Sequence, residues 1–464
     1  MMRRCRALVL GGAVLALAGC SLAPQYVRPA SPVPPELPRA EAPAEAPQAP
    51  DVPWEAFFTD ARLRAVVAQA LANNRDLRVA MLNIDRAQAV YRIQRADRVP
   101  PVSTGATVSQ QRTPGTAARD GEAYTSTQYS VALGVSGWEL DIFGRVRNLT
   151  AAALEQYLAT EQAGRATHLA LVAAVSQAYL QQAADADALA LARSTLEAQQ
   201  ASLALIQKSR DLGIASDLEL NQVRSQVEAA RADVARFTAL VALDLNALQV
   251  LAGGPVNPDL LPDGLSAVSA PRPISAGVSS EVLLRRPDIL AAEHQLRAAN
   301  ANIGAARAAF FPRISLTAGL GISSSELSTL IGSGTGTWSF APQITQPIFN
   351  AGSTAAKVRV ARVDREIAVA RYERGIQQAF AEVANALTLR QTLVSQREAQ
   401  EALVTALGET YRLSEARYKT GLDGYLGVLV AQRAFISAQQ GLVAVRLAEQ
   451  ANLVTLYKVL GGGV

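Results

Sequence analysis

The second half of this chain repeats the order of features found in its first half, at a spacing of about 210 residues. Each half holds a helical segment closed by proline, two alternating segments, a very long helical segment, and a glycine-marked turn before a further helix. The corresponding strings are Val99-Pro100 with Phe311-Pro312, Leu140–Phe143 with Gln346–Phe349, and Gly213 with Gly421. A repeat of this length indicates a duplicated unit rather than a short-repeat solenoid.

The long helical segments limit the possible folds. Residues 144 to about 212 contain no proline and a single interior glycine, Gly164, and residues 351 to about 420 form a partner of nearly equal length. At 1.5 Å per residue, each helix would extend roughly 100 Å. Helices of this length are rare in soluble domains unless they pair as coiled coils.

Each long helix is followed by a tight reversal. Gly213 supplies a left-handed helix end, and Ser216 with Glu219 matches the capping box of a following helix. In the second half, Gly421 ends the helix and Asp423 is expected to cap the next one.

Four segments alternate between apolar and small or polar residues, at about 101–112, 128–142, 313–325 and 337–349. In the last of them Trp338, Phe340, Pro342, Ile344 and Ile348 fall on one face. Such alternation fits strands of a membrane barrel or of a half-buried soluble sheet. The glycine-rich loops at 113–121 and 323–337 favour the barrel.

Four strands do not close a barrel, and an open edge is excluded from lipid. The chain is therefore expected to oligomerise. The longest uncharged stretch of the mature chain, 327–356, is interrupted by Pro342 and Pro347, so it is not a transmembrane helix. Strands are expected to cross the membrane.

The N-terminus has a secretory pattern. Three arginines precede an apolar run that ends in Leu17-Ala18-Gly19-Cys20. This ending resembles the bacterial lipoprotein processing site, which implies that residues 1–19 are removed and that Cys20 carries acyl chains. Ser21 in place of Asp points to the outer membrane. The alternative is an ordinary signal peptide with an incidental cysteine.

Composition argues against other classes of function. Residues 1–19 hold three of the 44 basic residues and none of the 40 acidic ones, so the net charge falls from +4 to +1 and gives no reason to expect nucleic-acid binding. The two histidines, His168 and His294, lie in alanine-rich helical surroundings and are unsuited to metal or base chemistry. With Cys5 removed and Cys20 acylated, no disulfide is expected within the mature chain.

Two segments that resemble catalytic or phosphate-binding motifs lack the sequence context that those motifs require. Ser136 lacks the second glycine of a nucleophile elbow, and the glycine-rich 332–336 precedes a strand rather than a helix. No enzyme activity is expected, and no cofactor apart from the acyl chains on Cys20.

Several strings together resemble the outer-membrane factor family, the TolC-type channels, and within it the OprM-like efflux lipoproteins. They cover the chain from Cys20 to its end: Cys20–Tyr26, Trp54 with Phe57-Phe58, Trp138–Gly144, Arg285–Ile289, Ala309–Pro312 and Gln346–Gly352.

The resemblance implies an α+β membrane protein with four barrel strands and very long coiled-coil helices per protomer. Three copies would form a twelve-stranded β-barrel with an α-helical periplasmic tunnel. The partners would be two further copies, outer-membrane lipid, a periplasmic membrane-fusion adaptor and an inner-membrane pump of the proton-driven resistance-nodulation-division type. Such channels pass drugs or small solutes passively and carry out no chemistry.

The same resemblance implies a periplasmic tip or gate. Its expected residues are Gly421, Leu422, Asp423 and Tyr425 in the second repeat, and Gly213, Ser216 and Glu219 in the first. Threefold symmetry would bring three Asp423 carboxylates together. The alternative role for Asp423 is a helix N-cap alone.

The expected organisation has five parts: the signal peptide at 1–19, an anchor and equatorial segment at 20–60, a first repeat at 61–254, an equatorial linker at 255–279 and a second repeat at 280–464. Two other functions stay open: the exit duct of a type I protein secretion system, which Cys20 disfavours, and a lipid-anchored coiled-coil scaffold without a pore.

Overall fold

The computed structural model describes residues 21–38, 47–275, 277 and 279–463, so the expected signal peptide and Cys20 lie outside the described residues. The α-helices described are α1 (Trp54–Phe57), α2 (Ala61–Asn73), α3 (Arg75–Ala96), α4 (Arg145–Asp211), α5 (Asp217–Ala252), α6 (Pro287–Ala308), α7 (Ser353–Lys419) and α8 (Tyr425–Val459). The strands are β1 (Val102–Thr113), β2 (Tyr124–Glu139), β3 (Arg313–Ser324) and β4 (Gly336–Thr345). Short 3-10 turns lie at Ala49–Asp51, Gly115–Ala117, Pro258–Leu260, Leu265–Ala267, Ser280–Arg285 and Leu327–Thr329.

The chain divides into two compact units. Unit 1 comprises the described residues up to 30 together with 83–161 and 291–372, and it holds the whole sheet. Unit 2 comprises 31–82, 162–290 and 373–463, and it holds both helical reversals. The predicted fold class is confirmed: helices α4 and α7 have 67 residues each, and the sheet has four strands.

The sheet is antiparallel throughout, in the order β1-β2-β3-β4. Its middle pair joins the two repeats, because β2 ends the first hairpin and β3 begins the second. A β-bulge between Val135 and Trp138 shifts the register of this pair. Within the part of the chain that the structure describes, strands β1 and β4 have a neighbouring strand on one side only.

One face of the sheet is apolar and exposed. The register aligns Leu133 with Leu320, and Leu320 with Trp338. Leu320 is 69 % exposed and Trp338 is 77 % exposed, and Val108, Phe340 and Ile344 are exposed on the same face. A row of large apolar side chains facing outward is typical of a lipid-facing surface.

Two strands end earlier than the alternation predicts. Strand β2 stops at Glu139 because the carboxylate of Asp141 accepts the N–H groups of Val146 (2.9 Å) and Arg147 (2.6 Å) at the start of α4. Strand β4 stops at Thr345, shortly before Pro347, which has no N–H to donate. The prediction that Ile348 belongs to the strand face is therefore wrong.

The core of unit 2 ties the linker to the N-terminal and C-terminal segments. The ring of Phe57 stacks on Tyr457 at 4.1 Å between centroids, and the Tyr457 hydroxyl donates to the Val52 carbonyl at 2.8 Å. The Tyr179 hydroxyl donates to the Leu260 carbonyl of the linker at 3.0 Å. Isolated bridges pair Glu36 with Ser279, Gln48 with Ser275, and Pro53 with Gly463.

In the described residues, two helices, α5 and α8, are long and apolar enough to cross a membrane by length and composition. Little of their apolar windows is buried in the single chain: 11 % in α5 and 33 % in α8. The C-terminal ends of both helices are held by polar contacts within unit 2, since Asn74 donates to the Leu251 carbonyl and Arg286 to the Val459 carbonyl. Exposed apolar helix faces of this kind are suited to packing against other helices.

We predict that Leu320→Arg impairs membrane insertion, because a cationic side chain on a lipid-facing strand costs about 2–4 kcal/mol near the midplane. The matched variant is Gln343→Arg, on the opposite face of the sheet. The measurement is the amount of folded protein in outer-membrane fractions. If the amount of folded protein in the membrane fraction were the same for both variants, the sheet would be assigned to a soluble environment.

Candidate functional site: the helical tips and the N-terminal segment

The first reversal, between α4 and α5, has the predicted local structure. Gly213 is left-handed at φ 74°, and the N–H of Ile214 donates to the Ser209 carbonyl at 2.8 Å. The Ser216 hydroxyl accepts from the Glu219 N–H at 3.2 Å, while the Glu219 carboxylate accepts from the Ser216 N–H at 2.8 Å. The predicted capping box is confirmed.

The second reversal, between α7 and α8, differs from the prediction. Gly421 is left-handed at φ 75°, and the Leu422 N–H donates to the Arg417 carbonyl at 2.9 Å. The N-cap of α8 is Gly424, which makes no side-chain cap. The prediction that Asp423 caps this helix is wrong: its carboxylate lies one residue before the N-cap and accepts from the Arg417 guanidinium instead.

Each tip carries an ion pair between an arginine and an aspartate. The hydrogen bond from Arg417 lowers the pKa of Asp423 below its usual range, so the carboxylate is ionised and paired near neutral pH. Both side chains are exposed to solvent. At the first tip, Arg210 pairs with Asp217 at 2.9 Å. Each tip therefore presents an arginine–aspartate pair.

The two tips pack side by side in unit 2. Their shared cluster contains the buried side chains Ile206, Leu220, Val223, Tyr425, Val428 and Leu429. The ring of Tyr425 meets Tyr418 edge-on at 5.0 Å between centroids. Tyr425, predicted as a tip residue, thus packs in the core that joins the reversals.

The outer ends of the tips carry exposed apolar side chains in equivalent positions of the two repeats. Ile214 corresponds to Leu422, and Leu218 corresponds to Leu426, counting from the left-handed glycines. All four are largely exposed. The two reversals therefore expose matched apolar side chains at their outer ends.

The segment that follows Cys20 is bound along unit 1. The Ser21 hydroxyl donates to the Asn148 side-chain oxygen at 2.8 Å. Arg307 of α6 donates to the Leu22 carbonyl at 3.0 Å, and Asn300 of α6 donates to the Pro24 carbonyl at 2.7 Å.

One buried carboxylate anchors the far end of this segment. Glu293 of α6 is only 3 % exposed, and it accepts from Arg28 at 2.8 Å, from Arg297 at 2.7 Å and from the Tyr26 hydroxyl at 3.2 Å. Burial by itself raises the pKa of Glu293, but the hydrogen bonds from Arg297 and Arg28 outweigh it and hold the pKa below its usual range. Because charge-assisted hydrogen bonds are stronger and more directional than neutral ones, Glu293 fixes the positions of Arg28 and Tyr26.

The sequence analysis did not identify Glu293, Arg297 or Arg28 in the N-terminal segment's anchor, nor Arg417 at the second tip. Glu293 and Arg297 form an i,i+4 pair that the sequence reveals, but Arg28 lies 265 residues from Glu293 along the chain. Arg417 is six residues from Asp423, a spacing that becomes a contact only through the geometry of the turn.

The histidines take part in no cluster. Nδ1 of His294 lies 2.6 Å from a Glu155 carboxylate oxygen, and burial lowers the pKa of His168. Among the described residues, no group of three or more His, Cys, Asp or Glu side chains is arranged to hold a metal ion.

The sequence matches the Outer membrane efflux protein family in two stretches, residues 66–254 and 278–462. Among its relatives, the antibiotic efflux pump outer membrane protein ArpC and the toluene efflux pump outer membrane protein TtgC, both of Pseudomonas putida, are each 48 % identical over 454 residues, covering 96 % of this chain and 93 % of theirs. The open-state structure of the Neisseria gonorrhoeae MtrE outer membrane channel has a TM-score of 0.87 and 37 % identity, over 96 % of this chain and 98 % of that one.

The chain therefore belongs to the outer membrane efflux protein family. It is the outer-membrane channel component of an efflux pump, as its relatives and structural neighbours are.

We predict that Glu293→Gln loosens residues 21–30, because the arginines lose a charged partner worth about 1.5–3 kcal/mol per hydrogen bond. The measurement is the rate of subtilisin cleavage within this segment, followed by mass spectrometry. His294→Ala is the control, since its contact with Glu155 does not touch the segment.

The effect has a defined pH dependence. The pKa of Glu293 is lowered on folding, so its stabilisation is present above the ordinary glutamate pKa and is lost as the pH falls through the lowered value. The difference between Glu293→Gln and the wild type should be full at pH 7 and shrink in strong acid. Equal cleavage of both proteins at pH 7 would contradict the assignment.

Proposed function

We propose that this protein is a passive, trimeric exit channel that receives small solutes from a periplasmic adaptor and an inner-membrane pump. The observation that carries the proposal is the open four-stranded sheet, whose apolar face is exposed and whose two edge strands have no outer neighbour among the described residues. In lipid, every backbone N–H and C=O group along these edges needs a hydrogen-bond partner.

Copies of the chain supply that partner. Three chains with four strands each give one twelve-stranded barrel, the number that the family resemblance implies. The exposed apolar faces of α5 and α8 support the same assembly, because helices of neighbouring copies would cover them in a periplasmic tunnel.

The apolar ends of the tips fit a periplasmic adaptor. Ile214, Leu218, Leu422 and Leu426 would form six equivalent contact points in a trimer, two from each chain. The inner-membrane partner would be a proton-driven pump of the resistance-nodulation-division type.

The substrates are proposed by analogy with the relatives, whose names mention antibiotics and toluene. This chain would pass small, largely apolar organic compounds without chemical change and without a cofactor.

The N-terminal segment supports lipid attachment at Cys20. Ser21, the next residue, is held at Asn148 near the start of α4, on the same side as the end of β2. Acyl chains on Cys20 would then enter the membrane beside the barrel. We also propose the division 20–60, 61–254, 255–279 and 280–464 as anchor, first repeat, equatorial linker and second repeat.

The tips are proposed as the periplasmic gate. Gly213 and Gly421 form the reversals, Ser216 and Glu219 fix the start of α5, and Tyr425 joins the two tips. In a closed trimer, Asp423 carboxylates near the axis would repel one another, and Arg417 would offset that repulsion within each chain.

Single-channel recording tests the proposed function. Purified protein in a planar bilayer should show stable conductance steps, and heat-resistant trimers should be seen in detergent. Monomers without conductance would favour the lipid-anchored scaffold.

We predict that Cys20→Ala yields an unlipidated protein, either an uncleaved precursor or a form processed elsewhere. Mass spectrometry of the wild type should show a mature N-terminus at Cys20 carrying acyl mass. An unmodified Cys20 in the mature wild type would contradict the prediction. Because the barrel itself anchors the protein, the lipid should aid assembly more than retention.

We predict that Asp423→Ala and Arg417→Ala shift the ion selectivity of the channel in opposite directions, because each leaves the other charge unpaired at the tip. Asp423→Ala should weaken cation selectivity and block by multivalent cations. Thr420→Ala, which changes no charge, is the control.

Trimer assembly should be unchanged in Asp423→Ala, because the N-cap of α8 at Gly424 uses no side chain. If both charge variants had the same reversal potential as the wild type, the tips would not lie on the conduction path.

A further inference from the structure

Two glutamine side chains are buried against each other where the two repeats pack together in unit 2. Nε2 of Gln199 in α4 donates to Oε1 of Gln432 in α8 at 2.9 Å. Gln199 is 2 % exposed and Gln432 is 4 % exposed. Helix α4 belongs to the first repeat and α8 to the second, so this hydrogen bond joins the two repeats within one chain.

Helices α4 and α8 run antiparallel beside each other. A second hydrogen bond between them, from Gln177 to the Thr455 hydroxyl at 3.1 Å, is exposed to solvent. It lies about six turns earlier in α4 and about six turns later in α8 than the buried glutamine pair. The two helices therefore keep one axial alignment over this length.

On the side nearer the tip, the contact between the two helices is apolar. Leu203 and Ile206 of α4 pack with Val428 and Leu429 of α8 in the cluster that the two reversals share. Apolar contacts are non-directional, so they are compatible with more than one axial position of a helix. A hydrogen bond between two buried amides has a defined geometry, and it therefore selects one register.

We propose that the Gln199–Gln432 pair is a register lock, which fixes the axial position of α8 against α4 and so holds the two reversals at the same height at the tip. The proposal rests on the gate proposed for the tips above, and adds the residues that keep the two halves of the tip in register.

A shift of α8 by one helical turn, about 5.4 Å, would separate the two amides. Residues three or four positions apart share a helix face, so each glutamine would then meet an apolar side chain. The new neighbours would be Leu429 and Leu196 for a shift in one direction, and Ile436 and Leu203 for a shift in the other. Both amides would be buried without a hydrogen-bond partner, and this penalises the shifted registers.

The pair is better suited to specifying the register than to adding stability. The Oε1 atom of Gln199 is buried and has no hydrogen-bond partner among the described residues. A buried polar pair that uses only part of its hydrogen-bonding capacity adds little stability over apolar side chains of similar size. In coiled coils, buried polar residues of this kind specify the register at a cost in stability.

A double-mutant cycle tests whether the two amides act as a pair. Gln199→Leu and Gln432→Leu should each lower the temperature at which the helical circular dichroism is lost, because each leaves one buried amide unpaired. The double variant should melt at a higher temperature than either single variant. Single effects that simply add in the double variant would overturn the pairing.

Thiol cross-linking measures the register itself. Thr195→Cys with Ile436→Cys places two thiols one turn beyond the glutamine pair on the facing sides of the two helices. Oxidation of this cysteine pair should give an intrachain disulfide, which is quantified by mass spectrometry of the joined peptides. When Gln199→Leu and Gln432→Leu are added together, the yield should fall severalfold, because α8 is no longer held in one register. An unchanged yield would overturn the lock.

Gln177→Leu is the matched control, since it makes the same substitution in the same pair of helices. Its hydrogen bond to Thr455 is exposed, so water can take the place of either partner. The yield of the disulfide between positions 195 and 436 should therefore be unchanged. An equal fall in this variant would overturn the assignment of the register to the buried pair.

Single-channel recording connects the register lock to the gate. The double leucine variant should open more often than the wild type and Gln177→Leu, because its two reversals no longer stay at the same height. A fall in the disulfide yield with unchanged channel opening would overturn the gate proposed for the tips and leave the lock in place. An unchanged yield would overturn the lock, whatever the channel opening.

Discussion

The backbone N–H and C=O groups along the outer edges of β1 and β4 need hydrogen-bond partners, and the rest of the structure depends on how they obtain them. Each unpaired group costs several kcal/mol in hydrocarbon, so a four-stranded sheet cannot insert alone. The exposed apolar face of the sheet is also unfavourable in water. The proposed association with further copies would meet both requirements.

The duplication also explains why the reversals that follow the two long helices, α4 and α7, have similar local structures. Each reversal uses a left-handed glycine, an arginine–aspartate pair and exposed apolar residues, although only the first has a capping box. The buried cluster around Tyr425 joins the reversals into one tip. In unit 1, Glu293 fixes the N-terminal segment against α6, so the segment that follows Cys20 has a defined path.

Local sequence patterns predicted the features that depend on neighbouring residues. Alternation revealed the strands, and Gly213, Gly421, Ser216 and Glu219 revealed the reversals, because glycine conformation and capping need only a few residues. Features that depend on reach across the fold were missed. Asp423 was expected to cap α8, but its carboxylate binds Arg417. Strand β2 ends early because the Asp141 carboxylate accepts from the first N–H groups of α4. Arg28 binds Glu293, which is distant along the chain. Lipidation at Cys20 and gating at the tips stay predictions.

The central claim is that copies of this chain complete a membrane barrel. Native mass spectrometry of the protein extracted in mild detergent measures it directly, since it counts the chains in one complex. The account predicts a single species of three chains that persists on dilution. A species of one chain, retained in the outer membrane and still conducting in a bilayer, would contradict it.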